Sequence, residues 1–269
     1  MGRKLVRVFS FGGGVQSMAV LVLSAQGKLP YTHFVFANVG DDTENPETIE
    51  YVKNYAVPFA EKHGLYIIEV KREVVEETKS TLYKELLNVK NFVQIPMFIN
   101  GGPIRRACTS NWKITVINKF MRDYLNAKIK RKKPIGIGIS LDEYTRMRTD
   151  NPGVTKAEYP LIDLRLTRED CIDIIREAGL PEAPKSSCWF CPYKKTKEWY
   201  ELSKQNKELF QKGVELEKEL GKVFPNDILT FSYKKLPLEK LVAEYESQIA
   251  KKESVNDEDV NCETGYCMT

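Results

Sequence analysis

Short apolar runs alternate with longer amphipathic stretches along most of this chain. The apolar runs are of strand length and predict strands over residues 5–9, 32–39, 65–70, 134–139 and 159–164. The amphipathic or helix-length stretches predict helices over residues 17–27, 46–63, 74–88, 111–126, 168–178 and 196–220. Strands that alternate with helices of this size predict an α/β fold with a doubly wound parallel sheet, which binds ligands at the carboxyl ends of its strands.

Capping residues mark the ends of two of these helices. Asn45 can cap a helix that has Pro46 in its first turn, and Gly64 follows the predicted end of that helix. Thr167 and Asp170 have the spacing of a capping box at the start of the helix that ends before residue 179.

The composition predicts three parts. Residues 1–195 hold the strand–helix alternation and predict one Rossmann-like domain, for which the segments described below imply nucleotide binding and a cysteine site. Residues 196–250 are rich in Lys and Glu and predict a small helical extension. Residues 251–269 form a polar, acidic tail that ends in a segment with two cysteines.

Glycines interrupt the chain between the first predicted strand and its helix. Ser10 precedes three consecutive glycines, Gly12 to Gly14, and the apolar helix begins near Ser17. Such a turn lets backbone N–H groups approach a phosphate, and the helix N-terminus adds partial positive charge. A tight turn whose glycines serve packing alone is the alternative. The loop has neither the Lys-Ser/Thr of a Walker-type P-loop nor the Gly-x-Gly-x-x-Gly spacing.

Composition and charge indicate a globular cytoplasmic protein. The chain of 269 residues is 42% hydrophobic and 29% charged, enough for one α/β core with an appendage. Its apolar runs fall short of the ~20 residues that span a bilayer, so we expect no membrane partner. The N-terminal Met-Gly-Arg-Lys leads into a strand without a signal-peptide pattern. The sequence leaves a homodimer open.

The cysteines form a second candidate site. Cys188 and Cys191 have Cys-x-x-Cys spacing, which can direct two thiols at one metal or cluster iron. Cys108 is a candidate third ligand and Cys262 a fourth, whereas Cys171 lies within a predicted helix and is interpreted as a core residue. An iron–sulfur cluster of the 4Fe–4S type is the first interpretation. A structural zinc ion and a redox dithiol are the alternatives.

A basic run, residues 128–133, lies between a predicted helix and a predicted strand. A solvated loop is the favoured interpretation, because the net charge of +4 is small. Contact with the phosphates of a nucleic acid is the alternative.

The glycine loop resembles the PP-loop, Ser-Gly-Gly-x-Asp-Ser, of ATP pyrophosphatases and sulfonucleotide reductases. Residues 13–17, Gly-Gly-Val-Gln-Ser, cover the last five positions of that motif. Gly12 stands in place of the first Ser, and Gln16 replaces the Asp. Because Gln carries no charge, a direct magnesium role at position 16 is disfavoured.

Four further segments, in the same order, extend the resemblance to the phosphoadenosine phosphosulfate (PAPS) reductase family of the PP-loop superfamily. Residues 38–48 are similar to the family's Asp-Thr-Gly…Pro-Glu-Thr segment, and residues 105–113 to its Cys…Lys segment. Residues 138–146 are similar to Gly-x-Arg…Glu-Ser…Arg, with Ser140 in place of the first Arg. Residues 159–163 complete the order before the cysteine pair.

The resemblance implies an adenine nucleotide, either ATP or a PAPS- or adenylyl-sulfate-type nucleotide, and a role for Mg²⁺. The positions it implies for nucleotide binding are Ser10, Gly12, Gly13, Gly14, Gln16, Ser17, Asn38, Gly40, Asp142 and Glu143. Lys113 and Arg146 would neutralise phosphate or sulfate oxygens. Asp142 and Glu143 would hold Mg²⁺ or cap a helix. The family's nucleophilic Glu-Cys-Gly-Ile-His segment is absent, and Cys267 is the candidate to replace its cysteine.

Two classes of function are compatible with these features. The first is an enzyme that takes sulfur from a sulfur or thiol donor, either to thiolate a nucleic acid with ATP or to reduce an adenylyl sulfate. The second is a non-catalytic nucleotide or redox sensor, which the replacement of the PP-loop Asp by Gln16 favours. A zinc-stabilised PP-loop protein is a further alternative.

Overall fold

The computed structural model describes residues 6–148 and 153–251, and these form two compact units. Among the described residues, the first unit comprises the chain up to residue 72 together with 109–187. The second unit comprises 73–108 together with 188–251. The sequence predicts the boundary of the first domain at residue 195. It did not reveal that residues 73–108 group with the C-terminal helices.

The described residues contain eight strands and ten α-helices. The strands are β1 Val8–Phe11, β2 His33–Asn38, β3 Tyr66–Lys71, β4 Phe98–Ile99, β5 Gly102–Pro103, β6 Lys133–Ile137, β7 Thr155–Glu158 and β8 Leu229–Thr230. The helices are α1 Val15–Ala25, α2 Pro46–Tyr51, α3 Val57–Lys62, α4 Leu82–Leu87, α5 Thr115–Leu125, α6 Pro160–Asp163, α7 Arg168–Glu177, α8 Thr196–Gln205, α9 Lys207–Gly221 and α10 Leu238–Ala250.

The first unit contains a five-stranded sheet of order β3-β2-β1-β6-β7 in which every pair is parallel. Successive residues of a strand point to opposite faces, and both faces are covered. Phe9 and Phe34 lie in one buried cluster with α1 and α7, whereas Val8 and Val35 lie in a second cluster with α5. The predicted α/β fold with a doubly wound parallel sheet is therefore confirmed.

Capping residues act as the sequence predicts. The side chain of Asn45 accepts a hydrogen bond from Glu47 N at the start of α2, and Pro46 lies in the first turn. Thr167 and Asp170 form a capping box at the start of α7. Gly64 and Gly179 follow α3 and α7 with φ of +68° and +75°, the left-handed conformation that glycine adopts without steric cost.

The strand predicted over residues 159–164 is wrong. Thr155–Glu158 form the strand β7, and Tyr159 is the N-cap of a helical turn in which Pro160 is the first residue. Proline pre-sets φ for a helix N-terminus and has no N–H to donate to a ladder, so the apolar run that follows it turns into α6 instead of pairing.

Two of the predicted helices are shorter or broken. Residues 74–88 contain a 3₁₀ turn, Glu77–Lys79, and a helix only from Leu82, where the Thr81 side chain accepts a hydrogen bond from Lys84 N. The helix predicted over 196–220 divides at Asn206, whose side chain accepts from Leu209 N and so caps α9. In both cases a polar side chain captures a backbone N–H and starts a new helix.

The helix predicted over 111–126 begins with a π-helical turn, Thr109–Ile114, and continues as α5. A second π turn, Val52–Ala56, separates α2 from α3. Sequence periodicity did not reveal these turns, since one inserted residue changes the pattern little.

The second unit packs α8, α9 and α10 together with α4 and a small antiparallel sheet of order β5-β4-β8. Trp199 and Phe231 lie at its centre, fully buried. The carboxylate of Glu217, 5% exposed, accepts hydrogen bonds from Phe231 N at 2.9 Å and Leu238 N at 2.8 Å. In neither unit does the described part of the chain contain a helix both long and apolar enough to cross a membrane.

Glu217 makes the stability of the second unit depend on pH. Burial raises the pKa of its carboxyl group from 4.5 to about 7. The folded protein therefore holds a proton at this group where the unfolded chain does not, and stability is lost as the pH rises from about 4.5 through about 7. We expect the free-energy advantage of the wild type over Glu217→Gln, which does not titrate, to be larger at pH 5 than at pH 7.5 in urea unfolding. An advantage that is equal at both pH values would contradict this assignment.

Candidate functional site

The glycine loop lies at the point where the strand order of the first unit reverses. β1 is the central strand, with β2 on one side and β6 on the other. Gly12 to Gly14 follow β1 and lead into α1, which has no side-chain cap. In open parallel sheets this switch point is the usual ligand crevice, and the first N–H groups of a helix have no partner within that helix.

Close packing holds the loop in place. Gly13 has φ +77°, and a Cβ on it would lie 2.8 Å from Thr48 Cγ2 and 2.9 Å from Val52 Cγ2. A Cβ on Gly14 would lie 3.1 Å from Ser186 Cβ, and the Ser186 hydroxyl donates to the carbonyl oxygen of Gly12. Gly13 is thus required by its conformation and by packing, which accounts for this glycine without a ligand, and the phosphate interpretation stays a prediction.

Ser17 and Gln16 are both buried in the first turn of α1. The Ser17 hydroxyl is fully buried and donates to Gly14 O at 2.9 Å, so it closes the turn. Gln16 Nε2 lies 3.2 Å from Glu143 Oε2 and 3.5 Å from Ser140 Oγ, and its Oε1 accepts from Arg168 Nη1 at 3.3 Å. The uncharged amide therefore bridges an anion and a cation.

The loop after β6 supplies the other half of this network. Arg146 Nη1 and Glu143 Oε2 form a 2.7 Å ion pair between side chains that are 6% and 15% exposed. Arg146 Nε is buried and has no hydrogen-bond partner among the residues described. Asp142 Oδ1 accepts from Arg168 N at 2.9 Å, so Asp142 acts as the helix cap that the sequence offered as one of two roles.

Asn38 organises the loop after β2. Its Nδ2 donates to Asp41 Oδ1 at 2.6 Å and to Glu69 Oε1 at 3.1 Å, and its Oδ1 accepts from Gly40 N at 2.8 Å. The hydrogen bond from Asn38 holds the pKa of Asp41 below its usual value, with Lys71 contributing in the same direction. Asn38 and Gly40 thus shape the loop, and their predicted contact with a nucleotide stays a prediction.

Lys113 lines a cavity between α5 and the carboxyl half of the sheet. The cavity measures about 60 Å³ and is bordered by Ser10, Gly12 and Gly138 among others. Lys113 Nζ lies 3.5 Å from Oε1 of Glu44, a fully buried carboxylate whose oxygens have no hydrogen-bond partner among the described residues. Pockets that enclose a drug-sized ligand start near ~300 Å³, so this cavity fits only part of a nucleotide, and the rest would lie along the open edge of the sheet.

The cysteine site lies in the second unit. Cys191 N donates to Cys188 O at 3.1 Å, which makes a tight turn of the Cys-x-x-Cys segment. The aromatic residues between them are buried and pack against Tyr83, with ring centroids 5.6 Å away for Trp189 and 5.9 Å away for Phe190. These two rings have a packing role, as the sequence indicates.

Cys108 and Cys191 lie within electrostatic range of one another. Burial raises the pKa of the Cys191 thiol and Cys108 raises it further, while the backbone of Tyr193 and the charges of Arg106 and Lys194 lower it. Thiols in this setting suit a soft metal or cluster iron. Within the described residues, no group of three or more His, Cys, Asp or Glu side chains is arranged to hold a metal ion.

The other cysteines fall into two groups. Cys171 is fully buried in α7, in the core between α7 and α1, and burial raises the pKa of its thiol to about 12, which confirms that it is a core residue. Cys262 and Cys267 lie outside the described residues.

Comparison with known proteins adds no relative. No family model, no curated protein and no solved structure matches this chain. The resemblance to the PAPS reductase family therefore depends on the sequence segments alone.

Three residues beside the loop were missed by the sequence reasoning. Arg168 holds the Gln16 amide, Glu44 pairs with Lys113, and Ser186 binds Gly12. Arg168 directly follows the predicted cap Thr167, which placed it at the start of a helix but gave no sign of its distant partner. Contacts between segments so far apart along the chain leave no local pattern in a sequence.

The Gln16 bridge yields a stability prediction. Gln16→Glu replaces the buried donor by a carboxylate that faces Glu143, so we expect the free energy of unfolding to fall by about 1–3 kcal/mol. The matched control is Gln211→Glu, because Gln211 also donates to a glutamate, Glu215, but on the exposed face of α9. There we expect a change within about 0.5 kcal/mol. Equal decreases for both variants in urea unfolding would contradict the assigned bridge.

Proposed function

We propose that this chain is an adenine-nucleotide enzyme, similar to the PAPS reductase family, that transfers or reduces sulfur. The observation that carries the proposal is the placement of the Gly12–Gly14 loop, which opens α1 at the switch point of the sheet beside the cavity lined by Lys113. Backbone N–H groups, a helix N-terminus and one lysine form a set that suits a phosphate chain.

Each polar group has a distinct role in this proposal. The first N–H groups of α1 bind phosphate oxygens, and Lys113 neutralises their charge. Arg146, which pairs with Glu143, is the cation in the segment after β6 that the resemblance assigns to a phosphate or sulfate oxygen. The carboxylates that the resemblance implies for Mg²⁺ are Asp142 and Glu143, of which Asp142 accepts from Arg168 N and Glu143 pairs with Arg146.

Lys113 provides the first test. We expect Lys113→Ala to weaken ATP or adenylyl-sulfate binding by about tenfold or more, since a hydrogen bond to a charged group is worth about 1.5–3 kcal/mol. Lys53→Ala, an exposed lysine of the same unit, is the control and should bind as the wild type does. Isothermal titration calorimetry measures both. Equal affinity of Lys113→Ala and the wild type would overturn the proposed phosphate site.

Product analysis separates the two subclasses. ATP-dependent thiolation predicts pyrophosphate release from ATP only when a nucleic acid acceptor and a sulfur donor are present. Reduction predicts sulfite release from PAPS or adenylyl sulfate with a thiol donor, and in that case Cys267→Ser should abolish it. Release of either product would support the proposal that the protein is an enzyme.

A non-catalytic sensor is the second candidate, because the Gln16 amide is fully engaged in hydrogen bonds with Glu143, Ser140 and Arg168. It predicts nucleotide binding without pyrophosphate or sulfite in any of these assays. Its affinity for nucleotide should still fall in Lys113→Ala.

We further propose that Cys108, Cys188 and Cys191, with Cys262 as fourth ligand, hold an iron–sulfur cluster of the 4Fe–4S type, with zinc as the alternative. The support is the turn that joins Cys188 to Cys191 and the nearness of Cys108 to Cys191. When bound, such a cluster supplies electrons or sulfide for sulfur chemistry.

Metal analysis tests the cysteine site. After anaerobic purification we expect iron and acid-labile sulfide in matching amounts, with broad absorption near ~400 nm. Cys191→Ala should lose all three signals, whereas Cys171→Ala, which removes a buried core thiol, should keep them. Zinc without sulfide would show that the cysteines hold a structural zinc ion instead of a cluster. The absence of both iron and zinc would overturn the proposed metal site.

A further inference from the structure

The two edges of the parallel sheet differ in charge. The segments that lead into β2, β3 and β6, residues 26–32, 63–65 and 126–132, carry five lysines or arginines and no Asp or Glu. The segments that follow β2 and β6, residues 39–45 and 138–146, carry five carboxylates and one arginine. Because the strands are parallel, the first set of segments lies at the amino edge and the second at the carboxyl edge.

The densest part of this positive charge is a short turn. Lys128 and Arg131 face each other in a turn closed by Arg131 N donating to Lys128 O at 2.9 Å. The side chains of Lys128, Lys130, Arg131 and Lys132 are exposed, and Ile129 between them is 74% exposed. The turn follows α5 directly and precedes β6.

Aromatic rings line the same edge. The ring centroid of His33 lies 5.1 Å from that of Tyr66 and 5.6 Å from that of Tyr124, and Tyr124 stacks on Phe120 at 5.0 Å with an interplanar angle of 16°. Tyr66 and Tyr124 are 58% and 53% exposed, although large aromatic rings usually bury most of their surface.

His33 holds the two tyrosines in position. Its Nε2 lies 3.2 Å from the Tyr124 hydroxyl and its Nδ1 lies 2.9 Å from Thr32 Oγ1. Burial lowers the pKa of His33, so the ring is largely neutral at pH 7. Asp123, the carboxylate beside Tyr124 in sequence, is engaged by Lys119 at 3.0 Å. The exposed rings are therefore fixed next to an exposed basic turn.

We propose that this amino-edge surface, formed by Tyr66, His33, Tyr124 and the turn 128–132, binds single-stranded nucleic acid. Tyr66 and Tyr124 offer faces on which unpaired bases stack, and the turn offers cations to the phosphates. Tyr124 and Lys128 are four residues apart, at most ~14 Å along the chain, so one strand of a few nucleotides reaches both. A duplex keeps its bases stacked on each other and would use the basic turn alone.

Binding of a strand at this surface does not require the proposed nucleotide chemistry. The bound strand would be the acceptor in that chemistry only if the proposed function holds. The two are separable because Lys113 lies at the carboxyl half of the sheet. Lys113→Ala should lose nucleotide affinity and keep affinity for the strand. The surface variants should do the reverse.

Fluorescence anisotropy with labelled twelve-nucleotide strands, (dT)12 and (rU)12, without ATP tests the proposal. We expect Tyr66→Ala and Tyr124→Ala each to weaken binding at least about fivefold, since base–aromatic stacking contributes about 1–3 kcal/mol per base. Tyr66→Phe and Tyr124→Phe keep the ring and should bind nearly as the wild type does. Tyr55→Ala, an exposed tyrosine on α1's face of the sheet, is the control and should have no effect.

Salt dependence tests the basic turn. The double variant Lys130→Ala/Arg131→Ala should reduce the slope of log affinity against log salt by about 0.7 for each phosphate that the variant no longer neutralises. Lys53→Ala/Arg176→Ala removes two exposed charges elsewhere in the same unit and should leave the slope unchanged. Circular dichroism of each variant confirms that it is folded.

Four outcomes would overturn the proposal. The first is that neither strand binds at 50 mM salt, and the second is that a duplex binds with equal affinity while the tyrosine variants have no effect. The third is that Tyr55→Ala lowers the affinity as much as the two tyrosine variants do. The fourth is that the protein binds vesicles that contain phosphatidylserine but does not bind the strands. Binding of either (dT)12 or (rU)12 that depends on the two tyrosines would support the proposal.

Discussion

The first unit depends on one crowded turn, in which Gly13 has no room for a side chain. The chain must leave β1, reverse and begin α1 while Thr48, Val52 and Ser186 press against the loop from two directions. Any Cβ at Gly13 would overlap Thr48 and Val52, and its φ of +77° is itself unfavourable for other residues. Two distant segments therefore meet over the loop, and they fix the N-terminus of α1 above the switch point of the sheet.

The amide of Gln16 extends this constraint across the sheet. A carboxylate at position 16 would repel Glu143 and could bind only Arg168. The amide of Gln16 instead donates a hydrogen bond to Glu143 and accepts one from Arg168. The departure from the PP-loop pattern is thus matched by its surroundings, and Glu143 places a carboxylate beside the loop from the segment that follows β6. The same contacts tie α7 to the loop, so the site and the packing of that helix depend on each other.

The parallel sheet also separates charge, because every strand in it runs the same way. Segments that enter strands gather at one edge and segments that leave them gather at the other, whatever their distance along the chain. In this protein the leaving segments carry the carboxylates around the glycine loop, and the entering segments carry the lysines around Tyr66 and Tyr124. A net charge of only +4 conceals two oppositely charged edges.

Local signals in the sequence determined four strands of the parallel sheet, the capped helices, the glycine turn and hence the doubly wound fold, since each depends on residues within one or two turns of each other. They also indicated that Cys171 belongs to the core and that Trp189 and Phe190 serve packing. Only the tertiary structure decided that residues 73–108 join the C-terminal unit. It alone decided the partners of Gln16 and Lys113, because those contacts join segments 69 to 152 residues apart that fold topology, not local pattern, brings together.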